Sequence, residues 1–129
     1  MERTNISTGA KWEDIVGYSR AVKIGNIIEI SGTVATDGSG EIVGKNDPNI
    51  QTKFIILKAE KVLEQLGAKL NDVIRTRIFT TDISKWEEIG KAHGEFFREI
   101  KPVTTMVEVS ALIDKNYLVE IEFSAVVSE

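Results

Sequence analysis

The run Lys101 to Val127, KPVTTMVEVSALIDKNYLVEIEFSAVV, holds two β-patterned segments with three carboxylates set inside them. Counted by the period of two that a strand imposes, Val119, Ile121, Phe123, Ala125 and Val127 share one face, while Glu120, Glu122 and Ser124 share the other. Glu108 sits likewise between Val107 and Val109. A carboxylate flanked by β-branched residues must reach water, a cation or a site, because burying an unpaired charge is costly. The two segments read as a C-terminal hairpin whose acids need a purpose.

Working back toward the N-terminus, Trp86, Ile89, His93, Phe96 and Phe97 recur at helical spacing before Pro102 rules out continuation. Ser84-Lys85-Trp86-Glu87 matches a reciprocal capping box at the start of that helix. Asp72 to Thr81 reads as a strand, with Ile74, Thr76, Ile78 and Thr80 on one face and Val73, Arg75, Arg77 and Phe79 on the other. Before it, Asp47-Pro48 offers an N-cap followed by proline at the first helical position. Ile55, Ala59, Val62, Leu63 and Leu66 then form one apolar stripe that Gly67 terminates. The Gly- and Asp-rich stretch Thr36 to Asn46 is loop, and Asp37-Gly38-Ser39-Gly40 within it is a turn, neither a phosphate loop nor a calcium loop. Ser19 to Lys23 and Ile27 to Val34 are short strands joined at Gly25-Asn26, a pair suited to a tight hairpin that opens the fold. The element order is β-β-α-β-α-β-β. It predicts an α+β two-layer sandwich, one mixed sheet with both helices on one face. The far face, left without helices, carries Arg, Thr, Glu and Val and is suited to a subunit interface; self-association into a ring would put polar residues in clefts between chains.

Composition narrows the function. The 129 residues, 42% hydrophobic and free of low-complexity tracts, are read as one domain over 1–129. Twenty acidic against sixteen scattered basic residues argue against a nucleic-acid surface. The absence of cysteine excludes disulfides and thiolate chemistry, and the lone His93 leaves no basis for a metal site; no cofactor is expected. No apolar run of about 18 residues and no signal-like N-terminus occur, which predicts a cytoplasmic protein without a membrane partner.

Several segments together resemble the Rid family, also called the YjgF or L-PSP family, whose best-known members are enamine and imine deaminases. They are Gly17-Tyr18-Ser19-Arg20-Ala21-Val22, Gly25-Asn26 leading to Ser31-Gly32, Gly67-Ala68, Asp72-Val73, Phe79-Thr80-Thr81-Asp82, Phe96-Phe97, Pro102 with Val107-Glu108-Val109, and Val119-Glu120-Ile121-Glu122. Their order and spacing carry the resemblance nearly end to end. It implies a chorismate-mutase-like fold and a homotrimer with three ligand clefts between neighbouring subunits. It also implies that Glu120 positions or deprotonates the water that attacks an imine carbon, with Tyr18, Ser31 and Gly32 at the substrate.

At the position where the active deaminases of that family carry a carboxylate-clamping arginine, this chain has Thr104; Gly90 and His93 stand where the family often has asparagine and tyrosine. A guanidinium holds a carboxylate by two charge-assisted bonds, whereas a threonine hydroxyl offers one neutral donor. Keto-acid imines should therefore bind at least about tenfold worse. Thr104 is expected to line the pocket. Arg77 either supplies a cation to the ligand from another side or pairs with Glu120 or Glu122 on the same sheet face. Glu120 could equally be a sheet-edge carboxylate paired with a lysine, and Tyr18 an anchor for the first strand. His93, on the apolar side of its helix, is read as a packed or hydrogen-bonded residue. Ser31-Gly32 lacks the elbow and the histidine partner of a serine nucleophile. The reading is thus a small-metabolite binder that could hydrolyse an enamine or imine C–N bond. The alternative is a non-catalytic binding or regulatory trimer, and the acidic composition disfavours a ribonuclease or translation inhibitor.

Overall fold

The computed structural model describes residues 1–128. Its chain order is β1 (Arg3–Ile6), α1 (Lys11–Val16), β2 (Ala21–Ile24), β3 (Ile27–Thr33), α2 (Pro48–Gln65), β4 (Val73–Thr80), α3 (Trp86–Phe97), β5 (Val103–Glu108) and β6 (Val119–Val126). The strands form a six-stranded sheet in the order β1-β2-β3-β6-β4-β5, antiparallel except for the parallel pair β4 and β5. Helices α2 and α3 pack together on one face, and the α+β two-layer class read from the sequence is the class found.

Local chemistry explains α2. The Asp47 carboxylate accepts from the Ile50 amide at 3.0 Å, and Pro48 takes the first turn, where a missing N–H is harmless. Ile55, Ile56, Ala59, Val62 and Leu63 are buried beneath it against Ile28, Ile30, Ile121 and Phe123 of the sheet. Gly67, with φ of +77°, ends the helix while the Ala68 amide returns to the Leu63 carbonyl at 2.9 Å. The side chain of Gln51, fully buried, spans two loops: its amide nitrogen donates to the carbonyls of Gly44 and Asn116, and its oxygen accepts from the Leu118 amide at 2.9 Å.

Several expectations are corrected. The C-terminal segments are not a hairpin, because β4 lies between β5 and β6 and pairs with both. The connection from Val109 to Leu118 carries the chain from the sheet edge to its middle, where the alternating core residues of β6 are covered and flanked. The opening hairpin of β2 and β3 is preceded by β1 and α1, which no hydrophobic period announces: β1 is mostly exposed and is held by its pairing to β2. In β4 an irregularity between Val73 and Arg75 exchanges the faces, so that Val73 is buried and Ile74 is 52% exposed. The capping box at Ser84 does not form. Asp82 instead accepts from the Ser84 amide and hydroxyl, opening a short 3₁₀ turn, Ile83–Lys85, ahead of α3. Trp86, placed by its spacing with the core stripe, is 56% exposed, while Ile89 and Phe97 are buried. The turn expected at Asp37 is present, its carboxylate accepting from the amides of Ser39 and Glu41.

Candidate functional site

The site grows from a register fault. Along the β3–β6 pair, Ile30 faces Phe123 and Thr33 faces Ile121, so β3 carries one extra residue at Ser31-Gly32. Such a bulge bends the strand and frees backbone from the ladder. Glu120, on the far face because Val119 and Ile121 fill the core, lays its side chain over Gly32. A Cβ at Gly32 would overlap the Glu120 Oε2 and stand only 3.2 Å from its Cγ, so the absence of a side chain there is what admits the carboxylate.

Arg20, immediately ahead of β2, locks the bulge. Its Nη2 donates to the Gly32 carbonyl at 2.6 Å, its own carbonyl accepts from the Ser31 amide at 3.0 Å, and its Nε is buried without a partner. The Ser31 hydroxyl is committed to the Ser19 carbonyl at 2.6 Å, which leaves it no proton for nucleophilic chemistry. Burial pushes the Glu120 carboxyl above its ordinary range; Arg20 opposes that shift and Glu122 adds to it. The result is a stronger base than a free carboxylate.

Behind the bulge, Lys58 of α2 donates from Nζ to the Val34 carbonyl at 2.7 Å and approaches the Thr36 hydroxyl at 3.3 Å. Burial first, and Arg20 second, pull its ammonium down to about 8. Neither Arg20, beyond its place in a motif, nor Lys58 was singled out from sequence. A lysine one turn from Ile55 and beside Ala59 carries no signal of the loop it will meet.

Tyr18 follows Gly17, whose φ of +88° closes α1. That short helix is pinned by Glu13, only 5% exposed, whose carboxylate accepts from the Ser7 hydroxyl at 2.7 Å and from the Thr8 hydroxyl at 2.6 Å. The Thr8 hydroxyl, followed by that of Ser7, holds Glu13 below its ordinary value of 4.5. On unfolding, the carboxylate regains its ordinary affinity for protons, so its contribution is present above pH 4.5 and is lost as pH falls toward the lower folded value. Denaturation series at pH 7 and at about pH 3.5 should show wild type losing more stability than Glu13→Gln across that interval.

Tyr18, Ser31, Arg77 and Glu122 line one open groove of about 750 Å³ on the far face, with Arg3 and Glu13 at its other wall. Arg77 pairs with Glu122 at 3.8 Å, both side chains nearly half exposed, so the pair contributes little to stability. This is one of the two partners expected for Arg77. Glu120 and Gly32 do not line this groove; Gly32 follows the groove residue Ser31, and Glu120 shares its face of β6 with the groove residue Glu122. Thr104 does not join them. It pairs with Thr76 across β4 and β5 and meets the Thr76 hydroxyl on the helix side, whereas Glu120 pairs with Phe79 on the opposite face. Within one chain, the sheet itself separates Thr104 from Glu120.

Known proteins share this architecture and sequence. The Rv2704 protein of Mycobacterium tuberculosis, described as a member of the YjgF/YER057c/UK114 family, superposes with a TM-score of 0.88 at 46% identity, covering 98% of this chain and 100% of that one. A RutC family protein of Pyrococcus abyssi is 40% identical over 123 residues, 95% of each chain. The 3-aminoacrylate deaminase RutC of Acinetobacter baylyi is 30% identical over 104 residues, 81% of this chain and 82% of that one. The six-stranded sheet backed by two main helices is the chorismate-mutase-like fold of these structural neighbours. No helix among the described residues is long and apolar enough to cross a membrane. Residues 8–127 match the family model described as Endoribonuclease L-PSP. By that match and these relatives, the chain belongs to the L-PSP family, the family also known as YjgF or Rid.

Proposed function

We propose that the chain works as a cytoplasmic homotrimer that takes a small enamine or imine into clefts between its subunits and hydrolyses the C–N bond. The observation that carries this reading is the Glu120 carboxylate, raised in basicity by burial and seated on the side-chain-free Gly32 of the β3 bulge. An enamine first takes a proton from solvent on carbon to become the iminium ion. Glu120 then accepts a proton from water as the water oxygen bonds the iminium carbon, which gives a neutral carbinolamine. Glu120 passes that proton to the carbinolamine nitrogen and takes the hydroxyl proton as the C–N bond breaks, so that ammonia leaves behind a carbonyl and carries off the last proton as ammonium. Tyr18 and the Ser31-Gly32 backbone orient the substrate in this scheme.

The separation of Thr104 from Glu120 within one chain supports clefts built between copies, since a second subunit can present its β5 edge to the Glu120 face. Val103 and Val107 on that edge and Ile15 and Val16 on α1 are 42% to 70% exposed, apolar area that a trimer would cover. The name of the A. baylyi relative, a 3-aminoacrylate deaminase, places enamine chemistry on a similar chain.

Ammonia release from freshly generated 2-iminopropionate tests the reading, with wild type, Thr104→Arg and an uncatalysed control. Wild-type turnover well above the control is the expected result, and Thr104→Arg should improve the carboxylate-bearing substrate by about tenfold or more. Thr104 itself favours a second reading, ligand recognition without turnover, because its single neutral donor demands no carboxylate. Saturable binding with no ammonia from either protein would select it.

A further inference from the structure

Thr104 is tied to the interior by two hydrogen bonds in series. Its hydroxyl lies 2.8 Å from that of Thr76, which is fully buried on β4, and the Thr76 hydroxyl lies 2.9 Å from Nε2 of His93 on α3. The His93 ring packs against Phe97 with centroids 4.6 Å apart.

Each of these bonds needs one proton, and Thr76 has one to give. If Thr76 donates to His93, the Thr104 proton is spent on Thr76. If Thr76 donates to Thr104, then Nε2 of His93 must carry the hydrogen that Thr76 accepts, and the Thr104 proton is free of both. Only the second arrangement lets Thr104 also donate to the Pro102 carbonyl, 3.3 Å away. That last bond is long and solvent-exposed, so an incoming acceptor can replace it at little cost.

We infer that His93, as its Nε2–H tautomer and acting through Thr76, turns the Thr104 hydroxyl into an outward-facing donor for a carboxylate or carbonyl oxygen of the ligand. His93 is a positioning residue here, not a catalytic one. The assignment rests on the reading that Thr104 lines the ligand cleft. Burial holds the imidazole below its ordinary pKa, which keeps it neutral and therefore tautomeric at pH 7. Donors in series polarise one another, so the terminal hydroxyl binds an acceptor more strongly than an isolated threonine would. The site accordingly recognises one oxygen by one neutral bond.

His93 is the sole histidine, so the ring-nitrogen NMR signals of histidine-labelled protein report this tautomer directly. Wild type should show hydrogen on Nε2. Thr76→Val should lose the single tautomer, and Thr76→Ser, which keeps a hydroxyl and controls for folding, should retain it. Pyruvate serves as the acceptor probe: Thr76→Val and Thr104→Val should each weaken its binding by roughly two- to tenfold, and the double variant no more than either alone. Hydrogen on Nδ1, a tautomer indifferent to Thr76→Val, additive losses, or no pyruvate binding by wild type would each overturn the inference. Absence of ammonia release would count against the deaminase reading alone, because the tautomer and the pyruvate coupling are read without turnover.

Discussion

Glu120→Gln should lower imine hydrolysis by about 10²- to 10⁴-fold, the usual contribution of a positioned general base, while leaving the fold intact. The side chain is nearly isosteric, and the carboxylate forms no ion pair among the described residues whose loss would strand a buried charge. The wild-type rate should fall with acid as Glu120 is protonated, at a pH above the ordinary carboxylate range because burial disfavours the charged form. In the glutamine variant that limb should vanish. Gly32→Ala makes the same point by geometry. The new methyl group would collide with the Glu120 side chain, whose far end can swing away, so stability should drop by about 1–3 kcal/mol while hydrolysis drops as in Glu120→Gln. A Glu120→Gln protein with wild-type ammonia release would remove Glu120 from the mechanism, and a fully active Gly32→Ala would remove the cradle.

The second large effect is on stability. Gln51→Leu should destabilise the protein by about 3 kcal/mol or more, out of the 5–15 kcal/mol typical of a domain. Leucine matches the volume but abandons the Gly44 and Asn116 carbonyls and the Leu118 amide. These groups lie where the loop before α2 and the loop before β6 meet, so both loops should loosen together. Urea midpoints check the energy, and amide exchange at Leu118 checks the place. A loss below about 1 kcal/mol would mean that water takes over the abandoned bonds.

What could be read in the sequence was whatever neighbours decide among themselves. Asp47, Pro48 and Gly67 bound α2 through contacts within a few residues, and the period of two put Glu120 and Glu122 on the face opposite Ile121. The errors came where a competing partner won, whether two residues away or across the sheet. Ser84 could have capped α3, but the Asp82 carboxylate two residues earlier takes both its amide and its hydroxyl. Val103–Glu108 and Val119–Val126 are consecutive strands, yet β4 outcompetes each for the other by pairing with both. The Ser31-Gly32 bulge is a property of two strands, so the cradle for Glu120 and the Arg20 bond beneath it had no signature in either strand alone. The same holds for Thr104, whose placement across the sheet from Glu120 follows from strand order.

That strand order also bears on how the protein comes into being. β6 follows both of its partners in sequence and yet lies between them, so the pairing joins residues as far apart as Ile27 and Val126, 99 positions along the chain. While residues 119–126 are still inside a ribosome, the nascent chain holds at best two half-sheets, β1-β2-β3 and β4-β5, each with an open edge. Non-local pairing of this kind is slow, and exposed edges invite pairing with the wrong chain. Residues 119–126 therefore have to be made before either half is protected, and the strand that carries the proposed catalytic carboxylate is the one that joins the two halves of the sheet.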